Sequence, residues 1–416
     1  MSTATATSPL MPTYPRPPVT LVRGEGTRVW DADGREYLDF LTGLAVCSLG
    51  HSHPKVAAAV AEQASTLLHV SNLYGNAIGP EVAATLDRLL GTPAWADGWT
   101  GDGPRGRVFF ANSGAEANEC AIKLARRFGG RGRHVVVSAL GSFHGRTMAA
   151  LAATGQPAKH EPFQPMPEGF RHVAWNDLDA LAGALDPTVA AVLLEPLQGE
   201  GGVNPATAEF VQGARRLCDE RGALLMFDEV QTGLGRTGRW FGHQRFDVVP
   251  DVVTMAKALG NGVPVGACWA RAEVAEVFAP GDHGSTFGGQ PFAMAAARAV
   301  LAEMEAIDAP ARATRQGTRL AEALADVPGV ASVRGMGLLL GAELAPGLAA
   351  PGVAAACLAA GLIVNPVTPT TLRFAPPLTV SDDEIDAAVA VLTTVITEAT
   401  AAASEPTAAE PGGGAP

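Results

Sequence analysis

Five short apolar runs punctuate the middle of this chain, at Val108 to Ala111, His134 to Ser138, Val189 to Leu194, Ala223 to Phe227 and Val252 to Met255, and helical stretches separate most of them. Short apolar runs with little polar alternation read as strands buried on both faces, and strands that alternate with helices build a largely parallel sheet. An α/β fold with helices flanking a mostly parallel sheet is therefore expected. Polar clusters follow the runs rather than scattering. Asn112-Ser113-Gly114-Ala115 follows the first, Phe143-His144-Gly145-Arg146 comes shortly after the second, Glu195 and Gln198 to Gly202 follow the third, Asp228 ends the fourth and Lys257 the fifth. Ligands bind at the carboxyl edge of such sheets, so one crevice served by five strands is expected. The plainer alternative is that loops after strands are polar in general.

Lys257 narrows the chemistry. The chain has four lysines (Lys55, Lys123, Lys159 and Lys257) beside twenty-six arginines, and only Lys257 closes an apolar run. The other three read as solvated or helix-surface lysines. Guanidinium stays charged, whereas a desolvated amine can lose its proton and become a nucleophile. Asp228 ends another apolar run twenty-nine residues earlier, so two adjacent strands would end in opposite charges. An imine-forming lysine with a carboxylate one strand away suits pyridoxal phosphate, whose ring nitrogen needs an anionic partner to stay protonated. A structural ion pair is the competing reading.

Ser113-Gly114-Ala115 leads into a helix predicted over Glu116 to Arg127, and offers free N–H groups to a phosphate or serves only as a cap. Gly233-Leu234-Gly235-Arg236-Thr237-Gly238 has the GxGxxG spacing of a dinucleotide site, but no helical period follows it, so a nicotinamide cofactor is not expected. His51 and His53 lack the further ligands of a metal site and read as turn residues, so no metal is expected.

The formal net charge of -12 over 416 residues disfavours nucleic acid and anionic membranes as partners and fits small-molecule chemistry. Five cysteines without CxxC spacing point to a reducing compartment, and the N-terminus lacks the pattern of a signal peptide, so a cytoplasmic location is expected. Ala345 to Val364 has the length of a membrane span, yet Pro346 and Pro351 interrupt it. A short helix around Val353 to Ala360 and a strand at Leu362 to Val364 are expected there instead. The organisation expected is a disordered N-terminus over 1–13, an N-terminal segment 14–53 with a hairpin around the Asp33-Gly34 turn, a large domain 54–292, a smaller α+β domain 293–398 against which the N-terminal segment packs, and a disordered tail 399–416. Within the small domain, strands are predicted at Val330 to Arg334, Leu338 to Glu343 and Thr371 to Phe374, before a last helix near Asp382 to Thr397. Thr92 to Arg107 reads as a surface loop.

Leu225-Met226-Phe227-Asp228-Glu229-Val230-Gln231-Thr232-Gly233, Gly235-Arg236-Thr237-Gly238, Pro250-Asp251 and Ala256-Lys257-Ala258-Leu259-Gly260 resemble, in order and spacing, the long signature of the class III (subgroup II) aminotransferases, which have the type I fold of pyridoxal-phosphate enzymes. The likeness covers about Tyr14 to Leu392. Within that family, His69 to Tyr74, Asn112 to Ala125, Phe143 to Thr147 and Arg373 to Leu378 look most like the branch that transaminates N2-acetylornithine with 2-oxoglutarate in arginine biosynthesis. Three positions depart from that branch: Cys47-Ser48 where Asn-Ala is common, Gly75 where a second tyrosine is frequent, and Gln290 where asparagine is usual. They leave ornithine, succinylornithine, succinyldiaminopimelate and 4-aminobutyrate open as amine donors.

The resemblance implies that Lys257 holds pyridoxal phosphate covalently, Asp228 pairs with its ring nitrogen and Gln231 meets its ring hydroxyl. It implies that Phe143 and Val230 sandwich the ring, that the Ser113-Gly114-Ala115 turn binds the phosphate, and that Thr286, beside Ser285 at the substrate site, reaches the partner subunit's phosphate in a homodimer. Arg146 would take the carboxylate of acetylornithine and Arg373 that of glutamate or 2-oxoglutarate, with Glu200 as a switch that pairs with Arg373 between the two. A racemase, or a non-catalytic protein on the same fold, are the rival readings. Paired arginines oppose the first, and the presence of both Lys257 and Asp228 opposes the second.

Overall fold

The computed structural model describes residues 9–90 and 105–404. The tail beyond Ser404, the first eight residues and most of the expected Thr92 to Arg107 loop lie outside them. The central sheet has seven strands, here β1 (Gly106–Ala111), β2 (Val135–Ala139), β3 (Phe170–Val173), β4 (Val189–Leu194), β5 (Leu224–Asp228), β6 (Val252–Met255) and β7 (Gly266–Arg271). Their spatial order is β1-β7-β6-β5-β4-β2-β3. β7 runs antiparallel to both neighbours, and the other neighbouring pairs are parallel.

The five strands expected from the sequence are all present, and β3 and β7 are additions. β3 is an edge strand in which Arg171 and His172 interrupt the apolar pattern. β7 opens on Gly266 because its start is squeezed: a Cβ there would stand 2.3 Å from the Ser113 carbonyl oxygen. β4, β5 and β6 are buried along their whole length, as strands covered by helices on both faces must be. The helix Gly114–Gly129, here α1, lies over β1, β6 and β7 and buries Ala117, Cys120, Ala121, Leu124 and Ala125. These positions recur at three- and four-residue intervals, which put them on one helical face.

The C-terminal part holds the antiparallel strands Val330–Met336, Leu339–Leu344, Thr371–Phe374 and Asn365–Pro366, with helices Pro291–Ala306, Ala309–Ala325, Ala350–Ala359 and Asp382–Ser404. The last helix continues past Ala399, where the tail was expected to begin. The N-terminal strands Leu21–Glu25, Arg28–Asp31 and Glu36–Asp39 form a meander turning at Asp33-Gly34, and Leu362–Ile363 joins its edge in parallel to Glu36–Asp39. No helix among the described residues is long and apolar enough to cross a membrane.

After the meander the chain makes one left-handed turn: Thr42, Gly43, Leu44 and Ala45 have φ of 51, 64, 69 and 62°. Each residue carrying a Cβ costs about 1–2 kcal/mol in this conformation. Asp39 offsets part of that by accepting the Leu41 and Thr42 N–H groups through Oδ1, and the Thr42 hydroxyl donates to the Ala375 carbonyl.

Three distant segments meet at Arg236, in the Gly233–Gly238 turn. Its guanidinium is buried and donates to the Leu338 and Pro376 carbonyls and to Ser48 Oγ. Burial pushes its pKa down to about 9. The GxGxxG spacing thus marks a structural turn that ties the N-terminal segment to the C-terminal strands. Arg236→Met would leave three acceptors unpaired, and urea unfolding should show a loss of about 3 kcal/mol.

Candidate active site

At the carboxyl edge of β4, β5 and β6 lies a cavity of about 400 Å³ lined by residues of all five expected clusters, among them Ser113, Gly114, Ala115, Phe143, Arg146, Glu195, Glu200, Asp228, Val230, Gln231 and Lys257. Asp228 ends β5 and stands opposite Thr254 of β6, three residues before Lys257. Lys257 is held at φ +44°, a conformation that costs a residue with a Cβ and that clusters at functional sites. Burial pushes its ammonium below the usual lysine pKa. Glu200 pulls the other way, and Arg373 adds to the lowering.

Asp228 is buried within a ring of donors. Its Oδ2 accepts from Asn118 Nδ2 at 2.8 Å and from His144 Nδ1 at 2.8 Å, and its Oδ1 accepts the Val230 N–H at 3.0 Å. Because a carboxylate only accepts, the His144 proton belongs on Nδ1. Asn118 is locked in turn, its Nδ2 donating to the His144 carbonyl at 2.7 Å and its Oδ1 accepting from the Thr254 hydroxyl at 2.7 Å.

Ser113 caps α1, its Oγ accepting the Glu116 N–H, so the first N–H groups of the helix open toward the cavity with no acceptor within the helix. Gly114 is required there. A Cβ would stand 2.8 Å from both methyl carbons of Val230, pressing on the part of the cavity wall that Val230 forms.

Arg373 lies on Thr371–Phe374 with 1% of its surface exposed. It is paired with Glu200, donates to Gln231 Oε1 at 3.3 Å and to Asn365 Oδ1 at 2.8 Å, and its buried Nε has no partner among the described residues. Burial alone would raise the Glu200 pKa, but attraction to Arg373, helped by Lys257, holds it below the usual carboxylate value. Arg146 is exposed at the rim, its guanidinium carbon 5.6 Å from the Phe143 ring centroid.

Two expected residues stay outside the cavity. Ser285 is occupied by the Asn112 amide and the Gly288 N–H, and Thr286 is exposed. Lys159, expected to be solvated, is half-buried because the turn Pro157–Lys159 folds it back on Gln156, and its Nζ stands 6.0 Å from the Phe143 ring centroid. Asn118, His144, Thr254 and Glu195 received no role from the sequence. Asn118 carried a usable signal, an amide on the otherwise apolar face of α1. His144 and Glu195 stand inside the clusters that follow β2 and β4, where many polar residues compete for attention.

The chain matches the family Aminotransferase class-III over residues 11–396. It is 47% identical over 400 residues to the acetylornithine aminotransferase of Caldanaerobacter subterraneus subsp. tengcongensis, spanning 94% of this chain and 97% of that protein. It is 50% identical over 393 residues to the acetylornithine aminotransferase of Corynebacterium efficiens, spanning 94% and 95%. Among solved structures, the ornithine aminotransferase of Toxoplasma gondii superposes with a TM-score of 0.87 at 33% identity, covering 95% and 94% of the two chains. The N-acetylornithine aminotransferase of Stenotrophomonas maltophilia gives 0.79 at 38%, covering 94% and 98%. The chain belongs to the class III aminotransferases.

The donor ring around Asp228 gives a test of the geometry. Asn118→Ala removes donors from Asp228 and the His144 carbonyl and an acceptor from Thr254, so chemical denaturation should show a loss of about 2–3 kcal/mol. Asn118→Asp, which adds a second carboxylate beside Asp228, should be worse.

Proposed function

We propose that this protein is a pyridoxal-phosphate-dependent aminotransferase that moves the amino group of N2-acetylornithine to 2-oxoglutarate, giving N-acetylglutamate 5-semialdehyde and glutamate, as a step of arginine biosynthesis in the cytoplasm. One observation carries the chemistry: a half-buried amine with a depressed pKa, Lys257, shares the cavity with a buried carboxylate held by three donors, Asp228. The relatives named above support the choice of acetylornithine.

The residues fit the cofactor. Lys257 would hold its aldehyde carbon, Asp228 its ring nitrogen and Gln231 its ring hydroxyl, with Phe143 and Val230 on its two faces. The N–H groups of Gly114 and Ala115 and the Ser113 hydroxyl would hold the phosphate. When bound, pyridoxal phosphate supplies an electron sink for the carbon that carries the amine.

The chain's own groups do the rest. Burial favours the neutral form of Lys257, so its Nζ can accept the proton lost from the amine-bearing carbon and later return one. Asp228 holds a fixed negative charge where a cationic nitrogen needs it. Phe143 and Val230 keep water from the reacting atoms. Arg146 at the rim takes the carboxylate of acetylornithine, while Glu200 occupies Arg373. When 2-oxoglutarate enters, Glu200 releases Arg373, whose planar guanidinium takes the carboxylate bidentately. Each half-reaction leaves before the next substrate enters, so the kinetics are ping-pong.

We also read the chain as a large domain, 54–292, and a small domain, 293–398, with segment 14–53 packed on the small one. The pairing of Leu362–Ile363 with Glu36–Asp39 supports this. The protein acts as a homodimer in this reading. The support is an exposed apolar group, Leu68, Leu73, Tyr74 and Phe287, near a hollow of about 570 Å³ that shares Asn112, Val263 and Pro264 with the cavity. Patches of this kind mark protein contacts, and a partner there would bring its Thr286 toward the phosphate end of the site. Phe287→Asp should shift the protein to monomer in sedimentation velocity and weaken cofactor binding.

The purified protein should be yellow, and Lys257→Ala should lose both the visible band and at least ~10⁴-fold in turnover. Decay of that band in single turnovers with acetylornithine, ornithine, succinylornithine, succinyldiaminopimelate and 4-aminobutyrate identifies the donor. Acetylornithine should be fastest, and a faster rival would overturn the choice of substrate.

A further inference from the structure

The sheet register sets two carboxyl groups side by side. β4 and β5 are parallel with Leu194 opposite Phe227, so the next residue of each strand, Glu195 and Asp228, leaves the sheet at the same edge, 7% and 4% exposed. Two ionised carboxylates so placed repel each other with little water to screen them, and one of the pair keeps a proton. Hydrogen bonding decides which. Among the described residues, Asp228 accepts from Val230, Asn118 and His144, whereas the Glu195 carboxyl accepts one bond, the Phe143 N–H at 3.2 Å. Charge settles where the donors are, on Asp228, and the proton on Glu195.

We propose that Glu195 acts as a neutral carboxylic acid, a positioning residue that seats Phe143 through its backbone and leaves Asp228 as the one anion offered to a cationic ring nitrogen. This rests on the cofactor reading of the site given above. The other charged groups facing it are Lys257 after β6 and Glu200, itself paired with Arg373 on Thr371–Phe374, while the His144 ring is bonded to Asp228. Burial, and then Asp228, push the Glu195 carboxyl well above the usual range, while the Phe143 N–H and Lys257 pull it back less. Raising the pH through that elevated value forces a second charge into the pair, so the working form is lost on the alkaline side.

The test compares holoenzymes of the parent, Glu195→Leu and Glu195→Gln. Leucine strands the Phe143 N–H and should raise the pyridoxal phosphate dissociation constant about tenfold. Glutamine, neutral at every pH and still an acceptor, should recover most of that affinity. The alkaline fall of kcat in the parent should be displaced in Glu195→Gln. Infrared difference spectra at neutral pH should show a protonated-carboxyl stretch in the parent that the glutamine variant lacks. A glutamine variant no better than leucine, or a parent without the stretch, overturns the proposal. A parent that never turns yellow with pyridoxal phosphate sinks the cofactor reading instead, so the two failures are distinguishable.

Discussion

Parallel register at the centre of the sheet is the constraint on which this site depends. β4, β5 and β6 end at a common edge, where Glu195 and Asp228 are buried and Lys257 stands half-buried beside them. Burying a charge costs several kcal/mol unless partners or a proton compensate it. Each group meets that cost differently. Asp228 is compensated by three donors, Glu195 by a proton, and Lys257 by a depressed pKa that favours its neutral, nucleophilic form. The positive φ of Lys257 adds backbone strain, which persists because β6 before it and the short turn Lys257–Leu259 after it leave no alternative path.

A second arrangement surrounds the first. Arg373 comes from the C-terminal strands and Glu200 from the loop after β4, and both meet over Gln231. Arg236, in the Gly233–Gly238 turn that follows Gln231, holds the Leu338 and Pro376 carbonyls and Ser48. Two arginines of one interior thus do different work. Among the described residues, Arg373 is paired with a carboxylate, whereas Arg236 meets carbonyl and hydroxyl acceptors alone, which suits a fixed structural tie.

Much of this was legible in the sequence because it rides on local patterns. Uninterrupted apolar runs gave five of the seven strands, and the residues that end them gave the cavity, including Lys257, Asp228, Phe143 and Glu200. β7 escaped because close approach to Ser113 selects Gly266 and the strand then mixes Ala and Cys with Trp269 and Arg271 instead of forming an aliphatic run, and β3 because edge exposure admits Arg171 and His172. The ring around Asp228 escaped for a different reason. Asn118, His144 and Thr254 come from three separate elements and meet only through packing, which spacing along a chain does not encode. Of the positions that depart from the acetylornithine branch, Ser48 is fully buried against Arg236, Cys47 stands near Gly262 of the cavity wall, and Gln290 accepts the Val70 N–H.

Borohydride reduction of the yellow protein followed by peptide mapping shows which amine carries the cofactor aldehyde. A single pyridoxyl-tagged peptide is expected, with Lys257 between Met255 and Gly260. A tag on Lys159 or another lysine, or no stable tag, would refute the role given to Lys257.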